Sequence, residues 1–80
     1  MSRELWDLSP AQERVMDAMV ESRHVRQKVV ARELGLSYRT VEHHLADVKR
    51  RMRVPSIGRA LLDWDRMRQA EKRAQEAATP

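Results

Sequence analysis

The chain has 80 residues, no cysteine and a formal net charge of +4. Its length and its lack of cysteine each exclude a class of protein. This length makes a single small domain, which buries only about 60% of its unfolded surface. The absence of cysteine excludes disulfides, thiolate zinc sites and iron–sulfur clusters. Secreted domains this small usually need such cross-links for stability. No apolar run approaches the roughly 18 residues of a membrane span, and no apolar signal segment opens the chain. We therefore expect a cytoplasmic protein without a membrane anchor.

The first predicted helix begins at Pro10. Ser9 can cap it, proline suits the first helical position, and Gln12 completes a capping box. Its apolar residues recur at helical spacing and are Val15, Met16, Met19 and Val20. The helix is expected to run to about Ser22. Trp6 precedes it, and we expect this indole to pack on the domain, because lone aromatic side chains usually belong to a core.

Two further helical patterns lie on either side of Gly35. The short second helix carries Val29, Val30 and Leu34, and glycine ends it where a left-handed residue is wanted. Ser37 can cap the third helix, whose apolar stripe is Val41, Leu45, Val48 and Met52. At about 100° per residue, this stripe forms the core side. The opposite side carries Arg39, His43, Ala46 and Arg50.

The fourth predicted helix follows Val54-Pro55, which interrupts the third because proline disfavours α conformation in the residue before it. Ser56 can cap this helix, and its pattern continues weakly to Ala74. We expect an all-α fold, a four-helix helix-turn-helix domain with an extended fourth helix. Residues 8–74 form the domain, residues 1–7 an N-terminal extension and residues 75–80 a frayed tail.

The positive charge is concentrated in residues 22–53, which hold nine basic and three acidic residues. A short helix, a glycine turn and a helix with one apolar and one basic side are typical of a helix-turn-helix, whose second helix lies in the DNA major groove. Double-stranded DNA is therefore the expected partner, and no cofactor is expected.

The chain from Leu8 to about Leu62 resembles the LuxR/FixJ/GerE-type DNA-binding domain. The shared residues are Leu8-Ser9-Pro10, Val15-Met16, the run Ala31 to Ser37, and Arg39-Thr40-Val41-Glu42 with His44-Leu45; Val48, Arg50 to Met52, Val54 and Ala60-Leu61 follow. The resemblance implies a third helix that reads DNA and a fourth that often pairs two subunits. The chain departs from the family in Gln12 and Arg14, where acidic residues are usual, and in Arg53, where glycine is frequent. The turn from Glu21 to Gln27 also lacks a glycine and is about two residues longer.

The resemblance also implies which residues contact DNA. The positions that face bases are Arg39, Glu42, His43 and Ala46. Those that match positions at the sugar–phosphate backbone are Thr40, Lys49, Arg50 and Arg51, and we expect Lys28, Ser37 and Arg53 to contact the backbone as well. Glu42 suits a cytosine amino group, and arginine suits guanine or phosphate. Arg51 has the alternative of pairing with Asp47 at i, i+4, and His44 is expected on the core side.

The fourth helix has two interpretations. Its stripe of Ile57, Leu61, Trp64, Met67 and Arg68 either contacts a second copy or folds back on the domain near the first helix and Trp6. We favour a homodimer, because two-fold pairing is the commonest assembly.

Other functions find less support in the sequence. Metal-binding histidine pairs on helices are spaced by four, whereas His43 and His44 are adjacent, so no metal site is expected. No nucleophile–base–orienter set exists, so we do not expect an enzyme. The leading hypothesis is a sequence-specific transcriptional regulator. The alternatives are a module like region 4 of sigma factors that docks on RNA polymerase, or an adaptor that binds another protein partner.

Overall fold

A computed structural model describes residues 3–22 and 26–78, and this part of the chain is all-α. Helix α1 spans Pro10–Glu21, α2 Gln27–Leu34, α3 Tyr38–Met52 and α4 Ile57–Ala78, and a 3₁₀ helix at Arg3–Trp6 precedes them. The prediction of a four-helix helix-turn-helix domain with an extended fourth helix is confirmed.

The helix ends form for the local reasons that the sequence contains. Ser9 accepts a hydrogen bond from the Gln12 amide at 3.2 Å, and the Gln12 side chain accepts one from the Ser9 amide at 2.9 Å. These two bonds are the predicted capping box. Gly35 ends α2 with a φ of 67°, and Ser37 accepts from the Thr40 amide at 3.1 Å to begin α3. The turn between the two helices is therefore fixed at both ends.

The core lies where α1, α3 and α4 meet, with α2 packed on α1 and α3. The apolar stripe of α3 is buried as predicted, and Val41 and Val48 have no exposed surface. The first helix contributes Val15, Met16 and Met19 to the same cluster. Because one side of α3 is buried in this core, the opposite side is held in a fixed orientation relative to the domain.

Helix α4 folds back on its own domain. Trp64 and Met67 have no exposed surface, and the Trp64 ring centroid lies 5.8 Å from that of Trp6. Trp64 Nε1 donates to Asp17 Oδ1 of α1 at 2.9 Å. The structure therefore contradicts the prediction that Trp64 and Met67 contact a second subunit, since side chains without exposed surface cannot do so. It agrees with the alternative that placed Trp64 near the first helix and Trp6.

Arg68, another predicted dimer contact, is also engaged within the chain. Its guanidinium lies 3.5 Å from Asp17 Oδ1 and 3.1 Å from Glu21 Oε1, both on α1. Ile57 and Leu61 are partly buried against the core. The part of α4 that the sequence assigned to a partner is thus largely occupied by α1.

Both predicted ends of the domain need correction. Arg3 contacts Glu13, Asp17 and Glu71 at 3.1–3.3 Å, so residues 3–7 belong to the packed domain. Residues 75–78 continue α4, whereas the sequence suggested a frayed tail from residue 75. Alanine, glutamine and glutamate, which make up this stretch, are strong helix formers.

Candidate nucleic-acid interface

The outer side of α3 gathers the residues predicted to face bases. Arg39, Glu42, His43 and Ala46 are all exposed, and together they line one shallow depression of about 310 Å³. The buried stripe lies on the other side of the same helix. The helical period that the sequence showed is thus converted into one continuous outward surface.

The depression presents a mixed set of groups that can recognise a base edge. Arg39 offers five donors in a planar fork, which suits guanine in the major groove. Glu42 offers only acceptors, which suits the cytosine amino group. Ala46 offers a methyl group for contact with thymine, and His43 can donate or accept. The arrangement has the chemistry of direct base readout.

The residues predicted at the sugar–phosphate backbone differ in the contacts that they make within the domain. Ser37 and Thr40 are joined through their hydroxyl oxygens at 2.8 Å, at the N-terminus of α3. The Lys28 ammonium lies 5.9 Å from the centre of the Tyr38 ring, a cation–π distance. Lys49 is partly exposed. These four predicted contacts lie on α2 or α3 or, for Ser37, at the N-cap of α3.

A polar cluster joins α1 to the outer side of α3 through Asp47. The carboxylate accepts hydrogen bonds from the Arg50 guanidinium and from the Gln12 side-chain amide, and Arg51 Nε lies 3.0 Å from Asp47 Oδ2. Arg51 also donates to the backbone carbonyl of Asp7 at 2.7 Å. The Arg50 hydrogen bond, then the Gln12 hydrogen bond and the Arg51 charge, hold the pKa of the Asp47 carboxyl below its ordinary value. The pairing of Arg51 with Asp47 that the sequence offered as an alternative is thus present.

Arg53 ends α3 in an unusual backbone conformation. Its φ is 57° and its ψ is 46°, which is the left-handed region that favours glycine. Its amide donates to the Arg50 and Lys49 carbonyls, which closes the last turn of the helix. The side chain is exposed on the same helix as the other basic candidates.

Comparison with known families decides the relationship of the chain. The family model described as bacterial regulatory proteins, luxR family, matches residues 7–62. The chain belongs to the LuxR family. No curated protein and no solved structure gives a match. The predicted resemblance is confirmed, and membership at the family level makes this a DNA-binding domain of transcription regulation with a helix-turn-helix.

The LuxR-family match explains which features are particular to this chain. It ends within α4, whose remaining turns to Ala78 lie outside it. Arg53 stands where the family frequently has glycine, and its left-handed φ shows the reason for that preference. Gln12, which stands where acidic residues are usual, donates to Asp47. The longer turn between α1 and α2 includes residues 23–25, which lie outside the described residues.

The sequence missed one contact of the site and found another. Asp47 and Arg51 are four residues apart on one helix, so their pairing follows from helical geometry. Gln12 and Asp47 are separated by 35 residues, and nothing local indicates that their side chains meet. The capping-box signal for Gln12 was correct but incomplete, because the same amide serves both α1 and Asp47.

Among residues 3–22 and 26–78, no three histidine, cysteine or acidic side chains come close enough to hold a metal ion. His24 is outside these ranges. None of the helices in the described part of the chain is long and apolar enough to cross a membrane.

Proposed function

We propose that this LuxR-family domain recognises a specific double-stranded DNA sequence through the outer side of α3 and regulates transcription as a homodimer. The observation that carries the proposal is the single depression formed by Arg39, Glu42, His43 and Ala46. These side chains come from one helix whose opposite side is locked into the core. Such a helix can enter the major groove without rearrangement of the domain.

The surrounding charges favour the same partner. Helices α2 and α3 carry Lys28, Lys49 and Arg50, and Arg53 ends α3; all four side chains are exposed or partly exposed. Phosphate contacts from such side chains fix the orientation of a protein on the duplex, while base contacts supply specificity. We therefore assign the depression to base readout and the surrounding cations, together with Ser37, Thr40 and Arg51, to the backbone.

The test is selection of bound sequences from a library of random duplexes, followed by affinity measurements on the recovered sequence. We expect a recovered half-site that His43→Ala or Glu42→Ala relaxes at one or two base pairs. Non-specific binding should change little in His43→Ala and rise in Glu42→Ala, because a negative charge near phosphates is removed. If selection recovers no sequence preferred over random duplex, the proposal fails.

A homodimer would give this small domain two half-sites, since non-specific affinities of single modules are typically micromolar or weaker at physiological salt. Trp64 and Met67 are buried, so pairing through α4 would have to use its exposed side, where Leu62 is 43% exposed. Sedimentation of the wild type at about 100 μM tests the dimer, because even weak dimers are populated at that concentration. If the protein sediments as a monomer in free solution and only one subunit binds a duplex that carries two half-sites, the dimer is removed from the proposal.

RNA polymerase is the second candidate partner, and one observation favours it. Val29 and Leu36 of the helix-turn-helix are 41% and 36% exposed, which leaves apolar side chains there for contact with a protein partner. Purified core polymerase should retain the wild type more strongly than a Val29→Ser variant if this surface docks on it. Equal retention of both proteins, or of neither, argues against this candidate.

A further inference from the structure

Asp47 is the only acidic residue between His43 and Met52 of α3, and both of its oxygens are occupied. Oδ1 accepts from Arg50, and Oδ2 accepts from Gln12 and lies 3.0 Å from Arg51 Nε. Arg50 and Arg51 are two of the cations that we assign to the DNA backbone. One carboxylate therefore holds two predicted phosphate contacts in the free protein.

The anchor of this carboxylate distinguishes it from an ordinary surface ion pair. Gln12 is only 5% exposed, and its Oε1 already accepts the Ser9 amide proton at 2.9 Å. Its amide cannot rotate without breaking the cap of α1, so its Nε2 remains directed at Asp47. A surface ion pair usually lacks such a restraint and contributes little to stability.

Arg51 has a second restraint, since its Nη1 donates to the Asp7 carbonyl at 2.7 Å. Among the described residues, the Arg50 side chain is paired with Asp47 alone, and it is 79% exposed. The guanidinium has five donors, so the edge that does not bind Asp47 stays free for a phosphate oxygen. The cluster thus limits where the arginines lie without blocking them.

We propose that Asp47 is a positioning residue for DNA recognition, which fixes Arg50 and Arg51 in the register of the specific site and weakens binding to DNA in general. The proposal rests on the proposed function. Positioning favours the one duplex orientation in which base contacts are also made. The negative charge of Asp47 opposes phosphates in every orientation, so it lowers affinity for random duplex.

The experiment compares Asp47→Asn with Asp63→Asn by fluorescence anisotropy. Asp63 is a matched control because it forms an i, i+4 ion pair with Arg59 at 3.2 Å, but on α4. Both variants raise the net charge by the same amount. Each is titrated with a random-sequence duplex and with the duplex recovered by selection, over a range of NaCl concentrations.

We expect Asp47→Asn to bind random duplex several-fold more tightly than wild type, with a salt slope steeper by up to about one unit. The ratio of affinities for selected and random duplex should fall several-fold. Asp63→Asn should leave that ratio and the salt slope at the wild-type values. A ratio in Asp47→Asn that equals that of Asp63→Asn overturns the proposal.

A second variant, Asp47→Glu, separates positioning from charge. It keeps the negative charge but moves it by one methylene, so affinity for random duplex should stay near wild type while the ratio falls. If Asp47→Glu keeps the wild-type ratio, Asp47 acts only through charge and the positioning role is excluded. Circular dichroism confirms that each variant is folded before titration. If Asp47→Asn is not folded, Asp47→Glu alone tests the positioning role.

The failure of this proposal differs from failure of the proposed function. If wild type binds neither duplex in a salt-dependent manner, the DNA-binding function itself fails. If wild type discriminates between the two duplexes and both Asp47 variants discriminate equally well, only the role of Asp47 fails.

Discussion

The two halves of this domain use their charged side chains in different ways. On the side formed by α1, α4 and the 3₁₀ helix, Arg3 contacts carboxylates on both α1 and α4, and Arg68 reaches from α4 to α1. On the outer side of α3, no carboxylate of the described residues lies within ion-pair distance of Arg39, Lys49 or Arg53. Ion pairs between elements stabilise the fold, whereas cations without a partner are available to a ligand.

The difference shows that composition alone does not locate a polyanion site. Both halves contain arginines, but Arg3 and Arg68 beside α1 each lie close to two or more carboxylates, whereas Arg50 and Arg51 of α3 share the single carboxylate of Asp47. Arg3 illustrates this: burial opposes its charged form, but hydrogen bonds and charge from Glu71 and Asp17 outweigh burial and raise its pKa. Arg3 also lies 5.2 Å from the centre of the Trp64 ring. Its charge serves the fold.

Trp64→Ala should have the largest effect on the α1–α4 half. Truncation of a fully buried tryptophan costs about 3–5 kcal/mol of unfolding free energy, which is a large part of the stability of a small domain. Urea denaturation measures the loss. Leu62→Ala is the control, since Leu62 is 43% exposed on the same helix and should cost about 0.5 kcal/mol or less. A folded, equally stable Trp64→Ala protein with a changed oligomeric state would restore the dimer interpretation of this side chain.

Two arginine substitutions compare the halves directly. Arg50→Ala should weaken binding to every duplex and reduce the salt slope by about one unit, with little loss of stability because Arg50 is 79% exposed. Arg68→Ala should leave the salt slope unchanged and lower the unfolding free energy by about 1 kcal/mol, the usual size for a partly exposed pair with hydrogen bonds.

Anisotropy titrations and urea denaturation of both variants provide the two readouts. Because each substitution removes one positive charge, a general effect of net charge would change both salt slopes equally. That result would contradict the division of the molecule into a structural half and a ligand-facing half. A change of base preference in Arg50→Ala with an intact salt slope would show that Arg50 reads bases instead.

The features that the sequence predicted are those that depend on neighbours along the chain. The capping box at Ser9, the left-handed Gly35 and the stripe of α3 each involve residues within a few turns of one helix. The exposed set predicted to face bases follows from the same period, because its members lie opposite the buried stripe. The local signals therefore defined the helices and the outward side of α3.

What the sequence could not predict depends on the packing of distant helices. The apolar stripe of α4 looks the same whether it meets α1 or a second copy, and the decision rests on contacts such as Trp64 with Asp17, 47 residues away. The bond between Gln12 and Asp47 has the same origin. Periodicity describes which side of a helix is apolar, but not what covers it.

Arg53→Gly tests whether the end of α3 is optimised for stability. A non-glycine residue in the left-handed region costs roughly 1 kcal/mol, so glycine at this position should stabilise the domain by up to about that amount. Arg66→Gly is the control with the opposite sign, because Arg66 is an exposed interior residue of α4, where glycine costs about 1 kcal/mol relative to alanine. Thermal denaturation distinguishes them. A destabilised Arg53→Gly would mean that the arginine side chain contributes more than its backbone conformation costs.

The smallest expected effect is the acid dependence of the Asp47 cluster. The folded-state pKa of Asp47 is lowered by Arg50, Gln12 and Arg51, so its ionised form stabilises the fold at neutral pH. This contribution is complete above the unfolded pKa of about 4 and is lost as pH falls through the folded value. Asp47→Asn should therefore melt slightly below wild type at pH 6, and the gap should narrow as pH falls below about 4.

Thermal denaturation of wild type and Asp47→Asn over that pH range measures the difference between their melting temperatures. Asp63→Asn serves again as the control, because Arg59 is its only ion-pair partner among the described residues and no buried amide donates to it. The difference in melting temperature between Asp63→Asn and wild type should be smaller at pH 6. A gap for Asp47→Asn that stays constant from pH 6 to pH 3 would show that the carboxylate gains nothing from its three partners in the folded state. The hydrogen bonds that Asp47 accepts from Gln12 and Arg50 would then not stabilise the folded state, and they could not hold Arg50 in a fixed position.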